Sequence, residues 1–158
     1  MTRLALALVF CLVLAAVTVT DLERRIIPNR VVAAGAVAAL ALAAASDPAS
    51  VPKRVLWAGA AGGMLLVVAL AAPRALGMGD AKLAAMMGLY LGSAVAPALL
   101  VGFGSGALAG GALVARHGRA ARKRAIPFAP FLALGGLVGL ETGDAIVRWY
   151  VASFLEAR

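Results

Sequence analysis

Apolar runs recur along the whole chain, and each approaches the length that a helix needs to cross a bilayer, roughly 20 residues. A chain of 158 residues that is 63% hydrophobic and only 14% charged differs strongly from a soluble domain, which is about half apolar and about a quarter charged. We therefore expect an all-α fold, a polytopic bundle of about six transmembrane helices forming one domain over residues 1–158. The runs lie at residues 4–20, 31–46, 55–72, 81–92, 97–115 and 128–151.

Two of these runs are less regular than the others. The fourth is short, and the sixth is interrupted by Glu141, Gly143 and Asp144. Glycine clusters at residues 59–63 and 102–111 predict close helix contacts, because small residues let helix backbones approach each other in lipid.

The basic residues predict the orientation of the bundle. The first, third and fifth connections hold ten of the fifteen Lys and Arg residues, counting Lys82 just beyond the third. By the positive-inside rule these connections face the cytoplasm, and both termini lie outside. The expected partner of the chain is the lipid bilayer, and the basic residues that orient it in the bilayer account for the net charge of +8. No basic stripe carries interleaved aromatic residues, so we expect no nucleic-acid binding.

Few side chains remain that could carry chemistry. One cysteine, Cys11, and one histidine, His117, offer neither a CxxC metal site nor a nucleophile with its base, so we expect no metal and no cofactor. Two of the seven acidic residues, Asp21 and Asp80, lie where a helix meets the predicted cytoplasmic face. An ionisable residue at membrane depth is costly and is a functional hypothesis by default.

Two neighbouring carboxylates can share one proton, so that one acts as a base and the other as an acid. Such a pair could activate water and polarise a peptide carbonyl without any metal. The glycines at Gly77 and Gly79 would permit a helix break before Asp80 and a close approach of another backbone. The alternative is that Asp80 merely caps the helix that follows it.

Three segments together resemble the type IV prepilin peptidases, a family of GxGD membrane aspartyl proteases. They read DLERRIIPN at residues 21–29, GMGDAKL at 77–83 and IPFAPFLALG at 126–135, in the family's order and all on the predicted cytoplasmic face. The resemblance covers essentially the whole chain. It implies a membrane aspartyl endopeptidase of the inner membrane, which cleaves the N-terminal leader of prepilin or pseudopilin precursors.

The resemblance also implies residue roles. Asp21 and Asp80 match the family's catalytic aspartates. Full-length relatives carry an N-terminal region with paired CxxC motifs that methylates the trimmed pilin; this sequence has no such motifs, so a short, peptidase-only form is expected. The oligomeric state stays open. The residues expected to bind substrate or shape the site are Gly77, Gly79, Lys82, Arg25, Pro28, Asn29, Pro127 and Pro130.

The sequence leaves two other interpretations open. Presenilin-type proteases also use a GxGD aspartate, and Pro97-Ala98-Leu99 resembles their PAL motif, although it is predicted to lie at the opposite face. Alternatively, Asp21 and Asp80 could relay protons or cations in a small transporter. A transporter would more naturally place them near the bilayer midplane in two similar halves, and the sequence contains no internal repeat.

Overall fold

The computed structural model of the protein describes residues 2–73, 76–118 and 127–155. In these ranges the chain is helical, which confirms the predicted all-α membrane bundle. Short 3₁₀ turns occupy Pro48–Ser50 and Gly92–Ala94, and a π-helical turn, Val151–Leu155, follows the last helix. The α-helices are α1 Thr2–Arg24, α2 Asn29–Ser46, α3 Val51–Ala71, α4 Met78–Leu91, α5 Val95–His117 and α6 Ala129–Tyr150.

Five helical stretches of the described chain are long and apolar enough to cross a membrane. The longest of them, Met78–His117, contains both α4 and α5. The direction of the chain changes inside it at Gly92, whose φ of 57° is in the left-handed region that favours glycine. Each of the six predicted apolar runs corresponds to one helix, with ends that differ by a few residues: α1 continues to Arg24, and α4 begins at Met78.

The fourth helix is the centre of the bundle. Ten of the 14 residues of α4 are buried, and α1, α2, α3, α5 and α6 all contact it. Tyr90 stacks on Phe10 with ring centroids 4.8 Å apart, and its hydroxyl donates a 2.8 Å hydrogen bond to the buried carbonyl of Gly35. These contacts tie α4 to α1 and α2.

Glycines allow the closest helix contacts. A Cβ atom at Gly88 of α4 would lie 2.6 Å from the Cα of Ala58 in α3, and one at Gly62 would lie 2.6 Å from the Cβ of Ala85. In the other large contact, a Cβ at Gly102 of α5 would meet Leu132 of α6, and one at Gly139 of α6 would meet Ala98 of α5. The pairs α3–α4 and α5–α6 are therefore both antiparallel and close.

These contacts define two ends of the bundle. One end, which we call the aspartate end, holds the last turn of α1 and the first turns of α2, α4 and α6. The other end holds the starts of α1, α3 and α5 and the end of α4. Pro97, Ala98 and Leu99 lie in the first turn of α5, so the PAL-like tripeptide is at the end opposite the aspartates.

Candidate active site

Asp21 lies in the last turn of α1, and its side chain is only 7% exposed. Its Oδ2 atom accepts a 3.0 Å hydrogen bond from the backbone N–H of Ala129, the first residue of α6. The carboxylate is thus held at the N-terminus of a helix 108 residues away in the sequence, where the helix dipole favours negative charge.

The local sequence explains why the Ala129 N–H is available. The first N–H groups of a helix have no partner within the helix, and Pro130, at the second position of α6, has no N–H at all. The next donors, Phe131 and Leu132, bond to the carbonyl of Phe128. The side chain of Ala129 is completely buried, so the short methyl group lets α6 approach Asp21 closely.

Asp80 lies in the first turn of α4 and is 8% exposed. Its Oδ2 atom accepts a 3.0 Å hydrogen bond from the N–H of Gly77, and its own N–H donates a 3.1 Å bond to the Gly77 carbonyl. Asp80 therefore does cap its helix, as the simpler interpretation of the sequence expected, and it is also buried beside a second carboxylate.

The two carboxylates are close enough for their charges to interact. Each uses Oδ2 for its backbone hydrogen bond. No buried side-chain oxygen or nitrogen in the described ranges lacks a partner. The remaining Oδ1 of each aspartate makes no hydrogen bond to a described residue and therefore keeps some solvent-accessible surface. An accessible oxygen on each of two neighbouring carboxylates is the arrangement that a water molecule and a peptide carbonyl could use.

The two glycines of this segment differ. A Cβ at Gly79 would lie 2.9 Å from the Cβ of Ile27, so the missing side chain makes room for Ile27 of the same chain. Gly77 is exposed, and among the described residues a Cβ there would meet only Asp80 Oδ2, at 3.2 Å, and Gly79 N, at 3.9 Å. The space that the sequence assigned to an approaching peptide is thus available at Gly77, whereas at Gly79 it is filled.

The connection between α1 and α2 lies beside the aspartates. Lys82 Nζ donates an exposed 2.9 Å hydrogen bond to Asn29 Oδ1, which links the first turn of α4 to that of α2. Pro28 precedes α2 as its N-cap, with φ −68°. Arg25 has φ 54°, a left-handed conformation that costs roughly 1–2 kcal/mol for a residue with a Cβ. Its N–H bonds to the Asp21 carbonyl and ends α1.

The two remaining predicted site residues are prolines of the third motif. Pro130 acts through the start of α6, and Pro127 lies just before that start. Ile126, the first residue of the third motif, and the basic residues between 119 and 124 lie outside the described residues. Sequence reasoning missed Ala129, because a backbone donor leaves no signature in residue type; the nearby prolines were the only available signal.

The chemistry open to this site is acid–base chemistry of carboxylates. In the described part of the chain, no three residues of the types His, Cys, Asp and Glu group together as a metal site would require. Asp21 and Asp80 are the two buried charged residues there, and both lie at the aspartate end.

Comparison with known proteins supplies the family. Residues 8–114 match the model of the type IV leader peptidase family. The prepilin leader peptidase/N-methyltransferase of Bacillus subtilis (strain 168) is 36% identical over 151 residues, which cover 92% of this chain and 58% of the relative. Proteins of the same name from Legionella pneumophila and Aeromonas hydrophila are 38% and 40% identical over 51% of this chain and 28% of each relative.

The chain thus spans little more than half the length of the Bacillus relative and about a quarter of the other two. No solved structure matches it. The family match covers both aspartates and extends from α1 into α5, over two thirds of the chain. On this evidence the chain belongs to the type IV leader peptidase family.

Proposed function

We propose that this chain is a membrane aspartyl endopeptidase that removes the N-terminal leader from prepilin or pseudopilin precursors. Residues 1–158 would form a single transmembrane peptidase domain of the inner membrane, with Asp21 and Asp80 as its catalytic residues. The names of the relatives support the substrate class, and the proposed reaction is leader cleavage rather than methylation.

One observation carries the proposal. Two buried carboxylates interact at one end of a membrane bundle, each fixed by a backbone N–H through Oδ2 and each with an accessible Oδ1. A structural capping role explains each hydrogen bond, since Asp21 caps α6 and Asp80 caps α4, but it does not require the two capping carboxylates to lie close enough for their charges to interact. Charge is costly at this depth, so the pairing favours a chemical function.

The pair would work with one shared proton. The ionised carboxylate takes a proton from water as the water oxygen attacks the scissile carbonyl carbon, and the protonated carboxyl donates its proton to the carbonyl oxygen. In the second step the C–N bond breaks. The leaving nitrogen receives the proton taken from water, and a hydroxyl of the intermediate returns a proton to the other carboxylate. The pair then holds one proton again.

The surrounding residues suggest how a substrate peptide would be held. Gly77 leaves the approach to Asp80 open, and the exposed side chains of Lys82 and Asn29 border the same face. Arg25 keeps its exposed guanidinium beside the end of α1 despite the strained backbone. We assign these four residues, with Pro28, Gly79, Pro127 and Pro130, to binding of the peptide or to shaping of the site.

We further propose that the aspartate end faces the cytoplasm. Arg24, Arg25 and Arg30 lie on either side of the connection between α1 and α2, and Arg116 lies in the last turn of α5, all at this end. Basic residues flanking transmembrane helices are retained on the cytoplasmic side. Cleavage would then occur before the mature part of the precursor leaves that side.

The test uses the purified full chain in lipid vesicles with a prepilin precursor of the same organism, and mass spectrometry of the products. We expect two fragments from one cut at the end of the leader, produced only when the aspartate end and the precursor's leader share a compartment. An intact precursor together with an ion flux that requires Asp21 and Asp80 would overturn the proposal in favour of a transporter.

A further inference from the structure

The end of the bundle opposite the aspartates contains a recess that the peptidase reaction does not use. Its origin is the length of α4: 14 residues rise about 21 Å, whereas the hydrocarbon core of a bilayer is about 30 Å thick. The chain turns back at Gly92–Ala94 before α4 has crossed this distance, while α1, α3 and α6 continue past it. The space left above the turn is a cavity of about 420 Å³.

Charged side chains line this cavity. Arg54 is held against the end of α4, because one of its guanidinium nitrogens donates hydrogen bonds to the carbonyls of Leu89 and Tyr90 at 2.8 and 2.7 Å. These are among the last carbonyls of α4, and a cation is favourable at that end of a helix. Arg54 thus compensates for the early end of α4.

Four further charges line the recess without such a partner. Two of them are basic, Arg3 of α1 and Lys53 of α3, and two are acidic, Glu141 and Asp144 of α6. Within the described residues, no ion pair or hydrogen bond joins any of the four to another side chain. A ligand that carries both signs can pair with both kinds of charge.

We propose that the recess binds the zwitterionic headgroup of a phospholipid, and specifically phosphoethanolamine. The phosphate would lie on Arg3 and Lys53, which offer N–H donors for charge-assisted bonds. The primary ammonium would lie on the carboxylates of Glu141 and Asp144. Apolar side chains of the same recess, Leu6 and Leu140, would contact the start of the lipid tails. This site does not depend on the proposed peptidase activity.

The choice of ligand follows from the signs of these charges. A phosphatidylglycerol headgroup would pair with Arg3 and Lys53 but would leave Glu141 and Asp144 beside an anion. A phosphatidylcholine headgroup carries both charges, but its trimethylated ammonium has no N–H to donate to a carboxylate. Phosphatidylethanolamine can pair with both the basic and the acidic side chains of the recess, so their chemistry favours it over the other two.

The test is lipid retention measured by native mass spectrometry on the full chain, delipidated and then titrated with phosphatidylethanolamine, phosphatidylcholine or phosphatidylglycerol. We expect the wild type to bind phosphatidylethanolamine at least about tenfold more tightly than the other two. Glu141→Gln should remove most of this preference, whereas Lys53→Gln should weaken the binding of all three lipids, because they share the phosphate. Asp47→Asn is the matched control, since Asp47 is an exposed acid at the same end that does not line the recess.

Each of the following outcomes would contradict the proposal. Equal retention of the three lipids overturns the proposal, and so does a preference for phosphatidylglycerol that survives Glu141→Gln, because that indicates a simple anion site. If Asp47→Asn loses as much of the preference for phosphatidylethanolamine, the effect comes from surface charge in general and not from the recess. Water-soluble glycerophosphoethanolamine distinguishes the source: competition at equal concentration overturns a lipid site in favour of a soluble zwitterion. The thermal midpoint of each variant without added lipid must match the wild type.

Discussion

The backbone N–H of Ala129 donates a 3.0 Å hydrogen bond to Oδ2 of Asp21, and this bond joins the first residue of α6 to the last turn of α1. It connects the third sequence motif to the first. The segment around Ala129 therefore acts on the proposed chemistry through the position of Asp21, without a reactive side chain of its own.

Replacing the Ala129 amide by an ester, through incorporation of lactic acid, removes this donor and keeps the methyl side chain. A hydrogen bond to a charged group is worth about 1.5–3 kcal/mol, so we expect kcat to fall roughly tenfold to a hundredfold. KM for the precursor should stay unchanged, because no peptide-binding side chain is altered. The measurement is steady-state cleavage by the purified variant.

An ester at Phe131 is the matched control. It removes the bond from Phe131 N–H to the Phe128 carbonyl, 3.1 Å long, in the same helical turn but away from Asp21. The two esters should reduce stability similarly, whereas only the one at position 129 should reduce kcat. Equal losses of kcat would show that the start of α6 matters only for folding.

The left-handed backbone of Arg25 predicts that one substitution there will affect stability and activity in opposite directions. Its φ of 54° favours glycine, so Arg25→Gly should raise the free energy of unfolding by about 1 kcal/mol. The same substitution removes the guanidinium assigned to the substrate, so KM should rise. Thermal unfolding in detergent and cleavage assays measure the two effects. Arg24→Gly removes the same charge from a helical residue and should lower stability instead.

The contact between α3 and α4 predicts a strong effect at Gly88. A Cβ there would lie 2.6 Å from backbone atoms of Ala58 that cannot move alone, so Gly88→Ala should cost about 1–3 kcal/mol of stability. Gly63→Ala, where no atom of the described residues lies within 4 Å, should be neutral or slightly stabilising. Similar unfolding midpoints for the two variants would contradict the close packing of α4.

The carboxylate pair predicts a bell-shaped dependence of cleavage rate on pH. Activity requires one ionised and one protonated carboxyl, so the rate should fall on the acid side, where both are protonated, and on the alkaline side, where both are ionised. The two limbs report apparent pKa values of the pair rather than of either residue. A rate that rises continuously with pH would show that no protonated carboxyl is needed.

Much of the fold could be predicted from the sequence. The lengths of the apolar runs predicted six helices. The positions of Arg and Lys predicted that Asp21 and Asp80 lie at the same end of the bundle, and the structure places them there. Helix ends were less predictable, since hydropathy does not register a polar last turn such as the one that carries α1 on to Arg24.

The site itself was less predictable where it depends on backbone and packing. Neither the Ala129 donor nor the left-handed Arg25 corresponds to a residue type that signals it. The glycine clusters correctly indicated close packing at Gly62 and Gly102, but Gly59 and Gly104 of the same clusters face open space. Which face of a helix meets a neighbour depends on tertiary contacts between distant residues, and a local spacing pattern does not contain them.

The most direct test of the central claim is precursor cleavage by Asp21→Asn and Asp80→Asn, with Asp47→Asn as the control. Asparagine keeps the size of the side chain but cannot exchange a proton, so each site variant should lose at least about 10²–10⁴-fold in rate, while the control cleaves like the wild type. Cleavage at a wild-type rate by a folded Asp21→Asn or Asp80→Asn variant would contradict the account.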